Sequence, residues 1–279
     1  MKAFQHPSEP VSMTAVERLD DATALEWLEL WTRGAFAPPS SRESGPGRIA
    51  APSLTPAHAL YKGDSSRVST RLVRALTGRS SRPRRSFEIG RALETARVSA
   101  SRPLALLERR LFGVVISSCF IFEPIEGVTL RDYLLEPRKA PERHELWAAI
   151  AVEVARLHSA SVRQRDLKAP NVIVREKPAG SLASGLPISV GLIDLEGMRL
   201  LRSPPSLRIR ARDLARLAAS LLAAEVSPED WSFLLERYLE TGIVAALPGS
   251  AQVDWLHAWT LRWAREKLLR NERNRRPTW

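Results

Sequence analysis

A chain of 279 residues with 44% hydrophobic and 26% charged residues is long enough for one large domain or two modest lobes with a real core. A single cysteine, Cys119, excludes an internal disulfide framework and a cysteine-built zinc site, and no stretch reaches the roughly 18 consecutive apolar residues of a membrane span. The net charge of +11, carried mostly by arginine, attracts polyanions such as nucleotide, nucleic acid or an anionic membrane face, without choosing among them.

The N-terminus, Met1 to Pro7, has no apolar core of a secretory signal, so the expected location is cytoplasmic, with any membrane contact made from the surface. Residues 14 to 33 read as a helix: Thr14 can cap it, Glu17 holds the capping-box position, and Val16, Leu19, Leu25, Leu28 and Trp31 recur at helical spacing. Ser40 to Pro56 is rich in Ser, Pro and Gly and reads as a linker; its Gly45-Pro46-Gly47 cluster is the weak alternative for a nucleotide-covering loop. His58 to Lys62 is a short strand ending in a lysine. Arg67 to Arg85 is strongly basic, with Leu72, Val73 and Leu76 giving part of it an apolar face.

Ser86 to Val98 reads as a second helix. Strands follow at Pro103 to Arg109 and Val114 to Phe122, joined by a turn at Arg110 to Gly113, with Cys119 inside the second as a small buried hydrophobe. Glu123 to Gly127 breaks the pattern and reads as a connection between two halves. A short helix at Thr129 to Leu135 precedes a longer one at Pro141 to Ser159, whose Leu146, Ile150, Val154 and Leu157 share a face. A strand pair split by the turn-rich Lys177 to Pro187 comes next. Helices at Arg208 to Val226, Pro228 to Thr241 and Val253 to about Arg270 close the chain.

The chemistry concentrates in Arg165-Asp166-Leu167-Lys168-Ala169-Pro170-Asn171 and in Val190-Gly191-Leu192-Ile193-Asp194-Leu195-Glu196. Asp166 suits a base that accepts the proton of an attacking hydroxyl, and Lys168, two residues on in an extended loop, suits neutralisation of a transferred phosphoryl group. Asn171 offers a neutral oxygen, and Asp194 a strand-terminal carboxylate, for Mg²⁺. The spacing of Asp166 and Asn171 alone recurs often in surface loops. The ordered set of Asp166, Lys168, Asn171, two apolar strands and Asp194 points to metal-assisted phosphoryl transfer from a nucleotide.

The sequence resembles the protein-kinase-like superfamily and, within it, the lipopolysaccharide core kinase family of Kdo kinases and WaaP-type heptose kinases. The resemblance covers about residue 58 to residue 220. Besides the two motifs above it rests on Phe122-Glu123-Pro124-Ile125-Glu126-Gly127-Val128-Thr129-Leu130, and on Arg85-Ser86-Phe87-Glu88 leading to Ser101-Arg102-Pro103-Leu104-Ala105-Leu106. It implies an α+β, two-lobed protein-kinase-like fold, with a helical extension over residues 1–40, a strand-bearing N-lobe over 41–122 and a larger helical C-lobe over 123–279. It implies that Lys62 pairs the α- and β-phosphates and Glu88 holds it, although Lys62 taken alone is equally a surface lysine. Glu123 and Ile125 would meet the adenine, with Phe122 lining its pocket, and Asp213 would brace the catalytic loop. Two departures stand out. Gln164 replaces the histidine usual before the Arg-Asp pair, and Asp194-Leu195-Glu196 replaces Asp-Phe-Gly.

The segment from Gly197 to Leu207 is short and carries no Ala-Pro-Glu-type anchor for a peptide platform, which favours a glycolipid or small sugar acceptor. Arg165, Arg199, Arg202, Arg208 and Arg210 could hold an anionic acceptor, or simply pair with Glu196 and Asp213. The Arg67 to Arg85 segment could lie on an anionic membrane surface. Trp255, Trp259 and Trp263, spaced by four and followed by Arg265, Lys267, Arg270, Arg273, Arg275 and Arg276, read as core packing, with interfacial anchoring the alternative. An atypical Ser/Thr protein kinase and a pseudokinase acting as a binding module are the competing functions; nucleic-acid binding rests on charge alone and is the weakest.

Overall fold

The computed structural model describes residues 1–7, 10–17, 19–34, 46–51, 58–64, 73, 77, 80–136, 143–176, 188–241 and 250–273. They divide into two compact units, Met1–Arg91 with Ser101–Pro124, and Ala92–Ala100 with Ile125–Trp279.

The first unit is built on a six-stranded antiparallel sheet. Its strands are β1 (Lys2–Gln5), β2 (Val11–Ala15), β3 (Gly47–Ala50), β4 (His58–Gly63), β5 (Pro103–Leu111) and β6 (Val114–Phe122), in the order β1-β2-β5-β6-β4-β3. Leu104 to Leu107 on β5 and Cys119 to Phe122 on β6 are all buried, as befits the two central strands. The turn between them is narrower than expected. Leu111 pairs with Val114, leaving Phe112 and Gly113 as a two-residue loop with φ of 48° and 80°, the signs of a type I′ turn.

The N-terminal reading needs correction. The helix expected from residue 14 starts at Asp21 (α1, Asp21–Thr32), and its cap is Asp20, whose carboxylate accepts from the Thr23 amide at 2.8 Å. Thr14 lies in β2, where Val11, Met13 and Ala15 alternate inward in register with Arg109, Leu107 and Ala105 of β5. Leu25, expected on the buried face, is 54% exposed; the face that packs is Ala24, Trp27, Leu28 and Trp31. The linker expected over Ser40 to Pro56 also contains structure. Gly47 opens β3 opposite Tyr61, whose ring would collide with any Cβ added there. Gly45 and most of the basic run from Arg67 to Arg79 lie outside the described residues.

Helix α2 (Arg82–Thr95) begins four residues before the expected Ser86, because Ser81 Oγ accepts from the Arg84 amide at 3.2 Å and starts the first turn. Phe87 on α2 meets Phe120 of β6 edge-on at 6.4 Å. Arg84 grips Glu108 of β5 through Nε–Oε1 at 2.9 Å and Nη2–Oε2 at 2.5 Å, and Arg110 Nη2 reaches the same Oε2 at 2.8 Å. Burial pushes the Glu108 carboxyl upward, but the hydrogen bonds from both guanidinium groups outweigh it and hold the group below the usual carboxylate range.

In the second unit, α3 (Leu130–Leu135) is capped by Thr129 and followed by α4 (Arg143–Ser159), whose Leu146, Trp147, Ile150, Val154 and Leu157 are buried. Strands β7 (Val128–Thr129), β9 (Val172–Glu176) and β10 (Ile188–Leu192) form one small sheet; β8 (Val162–Gln164) and β11 (Met198–Leu200) form another. Helices α5 (Leu207–Leu222), α6 (Pro228–Glu240) and α7 (Ser250–Arg273) complete it, with α4 against α6 and α5 against α7. Core positions on α7 are Leu256, Thr260, Leu261 and Ala264. The tryptophan stripe flanks them instead of filling the core: Trp255 is 39% exposed and stacks on Trp259 at 6.0 Å. Among the described residues no helix is long and apolar enough to cross a membrane.

Candidate active site

The loop bearing Asp166 emerges from β8, where Gln164 pairs with Met198 of β11 and the Arg165 amide donates to the Gly197 carbonyl at 2.9 Å. It ends in a 3-10 turn, Ala169–Asn171, that feeds β9 directly. Leu167 and Ala169 are fully buried and anchor the loop from beneath, and the Ala169 amide donates to Ser220 Oγ on α5 at 2.9 Å. Lys168 is extended, and its side chain turns to that of Asp166. Lys168 Nζ stands 2.8 Å from Asp166 Oδ2. Asn171 Nδ2 donates to the Asp166 carbonyl at 2.8 Å and approaches Oδ2 at 3.3 Å.

Asp194 is tied to this loop twice. Its neighbour Ile193 donates its amide to the Asn171 carbonyl at 3.0 Å, and Gln164 Nε2 donates to the Asp194 carbonyl at 3.3 Å. The other end of the same Gln164 carboxamide, Oε1, accepts from the Asp166 amide at 3.1 Å. A glutamine therefore bridges both carboxylate-bearing segments, and the departure from histidine keeps a bracing contact. Asp194 itself has φ 63° and ψ 63°, a left-handed conformation that a non-glycine residue holds only when its surroundings fix it. Gly197 makes room for the bridge: a Cβ there would stand 2.5 Å from Gln164 Oε1 and 3.3 Å from Asp166 Cβ.

Beneath the loop lies a fully buried carboxylate. Asp213 Oδ2 accepts from the Gln164 amide at 3.0 Å, while Oδ1 accepts from Arg216 at 2.9 Å and from Arg163 at 3.4 Å. His158 Nε2 faces it at 3.8 Å, and His158 Nδ1 shares a 2.7 Å hydrogen bond with Tyr238 OH. Burial lowers the His158 pKa, partly offset by Asp213, so the ring is held neutral in the core. Sequence spacing could not reveal Gln164 and Ser220 as supports, because each acts on a segment distant in the chain.

The remaining expected site residues are distributed as follows. Lys62 lies on β4 opposite Phe120. Glu88 is exposed on α2, with Arg84 Nη1 3.8 Å from Oε1. The Glu123 amide donates to the Arg102 carbonyl at 2.9 Å, and Ile125 packs over Gly191, where an added Cβ would stand 2.9 Å from Ile125 Cδ1. Of the arginines expected to meet an anionic acceptor, Arg165, Arg199, Arg202 and Arg208 are exposed. Arg210 is buried, and its Nε donates to the Pro205 carbonyl at 2.7 Å.

The donor set suits a hard divalent cation. With Asn171 Nδ2 turned to Asp166, its Oδ1 is the amide's remaining ligating end, and Asp194 adds a carboxylate. Among the described residues no group of three His, Cys, Asp or Glu could cage a metal. Two hard oxygen donors suit a divalent cation that completes its shell with water and substrate phosphates.

Residues 55–238 match the lipopolysaccharide kinase (Kdo/WaaP) family profile. No curated protein matches the chain. Among solved structures, "WaaP in complex with acyl carrier protein" is 21% identical, covering 96% of this chain and 88% of that one, with a TM-score of 0.55. The Rio2 kinase-ADP/Mg²⁺-phosphoaspartate complex from Chaetomium thermophilum is 16% identical, covering 89% and 77%, with a TM-score of 0.44. The likeness to the WaaP structure establishes a protein-kinase-like fold. With most of its length matched by the family profile, the chain belongs to the lipopolysaccharide kinase (Kdo/WaaP) family, whose members are phosphotransferases acting on a sugar hydroxyl.

Proposed function

We propose that this kinase transfers the γ-phosphoryl group of ATP to a hydroxyl of a lipopolysaccharide inner-core sugar, Kdo or heptose, with Asp166 as the base. The observation that carries this reading is the knot around Asp166. Lys168 at 2.8 Å, Asn171 at 2.8 Å to its carbonyl and Gln164 at 3.1 Å to its amide fix the carboxylate, and Gln164 and Asn171 also hold the segment that ends in Asp194. Asp166 takes the proton of the acceptor hydroxyl and aims its oxygen. Lys168 offsets charge on the phosphoryl oxygens as the bond to the leaving group lengthens. Asn171 and Asp194 would hold Mg²⁺, which supplies charge neutralisation at the phosphates.

Nucleotide binding falls, on the family's pattern, to Lys62 and Glu88 for the phosphates and to Glu123 and Ile125 for the base. The 3.8 Å contact of Glu88 with Arg84 is long and exposed, which leaves Glu88 able to pair elsewhere. A sugar is favoured over a peptide because only Leu201 to Ser206 separates β11 from α5, with Arg210 bonded back to Pro205. A cytoplasmic enzyme with a glycolipid acceptor and a net charge of +11 would work at the anionic inner face of the membrane.

Radiolabelled phosphate transfer to core glycolipids and to generic protein substrates, run side by side, tests the reading. Wild type should label the glycolipid. Asp166→Ala and Asp194→Ala should each lower kcat by about 10²–10⁴-fold. Equal labelling by both variants and wild type would remove Asp166 and Asp194 from the chemistry, and labelling of protein alone would favour the peptide-kinase alternative.

A further inference from the structure

The last helix, α7, lies beyond the region matched by the family profile, residues 55–238, yet it brings charge to the neighbourhood of Asp166. Trp263 on α7 carries two cations on one indole. The Arg216 guanidinium from α5 lies 5.5 Å from the ring centroid, and the Lys267 ammonium, one turn along α7, lies 5.8 Å away.

Arg216 is locked from its other side by Asp213 at 2.9 Å and by the Arg212 carbonyl at 2.9 Å. Asp213 in turn holds the Gln164 amide, and Gln164 holds the Asp166 amide. The two cations on Trp263 are thus connected through short contacts to the catalytic loop.

The charges in this neighbourhood do not balance. Lys267 is attracted by Asp166 and repelled by Arg216 and Lys168; Arg216 is also repelled by Arg163 and Arg165. Asp213 is already shared by Arg216 and Arg163, and Asp166 by Lys168. Among the described residues no carboxylate forms an ion pair with Lys267; its neighbour Glu266 pairs with Arg262. Desolvation, with help from Arg216, pushes the Lys267 ammonium below the usual lysine range. A partly buried ammonium set among other cations is an anion receptor in waiting.

We propose that Lys267, backed by Trp263 and Arg216, receives an anionic group, phosphate or carboxylate, on the acceptor sugar. Helix α7, outside the residues matched by the profile, is then an acceptor-recognition element. The assignment rests on the sugar-kinase reading for the identity of the acceptor, and on the Trp263 cluster for the site.

Two measurements test it. Lys267→Met keeps an unbranched stem against Trp263 and removes the charge, whereas Lys267→Arg keeps the charge. The Met variant should raise the KM for the glycolipid acceptor by about tenfold, the loss of one charge-assisted hydrogen bond, while the KM for ATP stays put. The Arg variant should recover most of that loss. An unchanged acceptor KM in Lys267→Met overturns the proposal.

The second measurement needs no turnover and decides the matter if wild type phosphorylates no glycolipid. Acylation of Lys267 by acetic anhydride, followed by peptide mass spectrometry, should slow when inorganic phosphate is added, relative to sodium chloride at equal ionic strength. Protection without glycolipid turnover keeps the anion site and rejects the sugar acceptor. Absence of both protection and turnover overturns the site itself.

Discussion

Gln164 uses both ends of one carboxamide, donating to the Asp194 carbonyl and accepting from the Asp166 amide, and so keeps two carboxylates from different strands in register. Removing it should misplace both without touching a substrate. Gln164→Ala is expected to lower kcat by about 10–100-fold with a smaller effect on the ATP KM, since misplacement of reacting groups by about 1 Å costs that much. Gly197 belongs to the same device. Gly197→Ala places a Cβ 2.5 Å from Gln164 Oε1, and should destabilise the protein by about 1–3 kcal/mol in chemical denaturation. In a Gln164→Ala background the same change should cost less, because the atom it strikes is gone. Equal costs in both backgrounds would show that the strain lies elsewhere.

Among the elements, the β5–β6 hairpin and helix α1 show how local preference and tertiary context divide. Phe112 occupies the first position of a type I′ turn at φ 48° and is 96% exposed, so neither backbone preference nor packing supports a phenylalanine there. Phe112→Asn is expected to stabilise the protein by about 1 kcal/mol, read as a higher urea midpoint at unchanged m-value. The misread N-terminus has a different origin. Val11, Met13 and Ala15 alternate over only five residues, and the helical spacing of Val16, Leu19, Leu25 and Leu28 obscures that short signal. What decides for a strand is the presence of β5 as a partner, a contact about ninety residues away in sequence. The tryptophan stripe on α7 was expected in the core for a similar reason. Each of Trp255, Trp259 and Trp263 precedes by one residue, about 100° around the helix, a member of the buried line Leu256, Thr260 and Ala264, and so flanks it.

At the scale of the whole molecule, acid sensitivity follows from its buried titratable groups. His158 is fully buried beside Asp213, Arg210, Arg163 and Tyr238, and desolvation lowers its pKa below the ordinary 6.5. The unfolded chain therefore binds a proton that the folded chain refuses. Stability from this group is complete above about 6.5 and is lost as pH falls toward the lower folded value. Glu108, depressed by Arg84 and Arg110 against its burial, acts at lower pH: its contribution is present above the ordinary 4.5 and is lost as pH falls through its folded value. Glu153, raised mainly by burial, has the opposite sign and loses its contribution as pH rises through its folded value. Thermal melts should therefore show Tm falling as pH drops below about 6.5, and His158→Asn should flatten that fall while lowering Tm at neutral pH through loss of the Tyr238 bond. An unchanged slope in the variant would assign the acid sensitivity to other groups.

The sequence by itself determined the family and its class of reaction, because the motifs around Asp166 and Asp194 sit on short contiguous stretches. It also placed the longer strands and helices from residue 58 onward, where apolar periodicity and turn residues agree, but not the two- and three-residue strands β7, β8 and β11, whose patterns are too short to read. Tertiary structure decided which contacts hold those two motifs in place. Gln164 and Ser220 act on backbone atoms of segments thirty to about fifty residues away, Gly197 leaves room for the Gln164 side chain, and no local pattern encodes such partners; Asp213, which the resemblance gave as a brace, finds its partner in the Gln164 amide only in the fold. The same holds for the Trp263 cluster. A lysine at residue 267 is one basic residue among many in sequence, and becomes a distinct site only where α7 lies against Arg216 on α5.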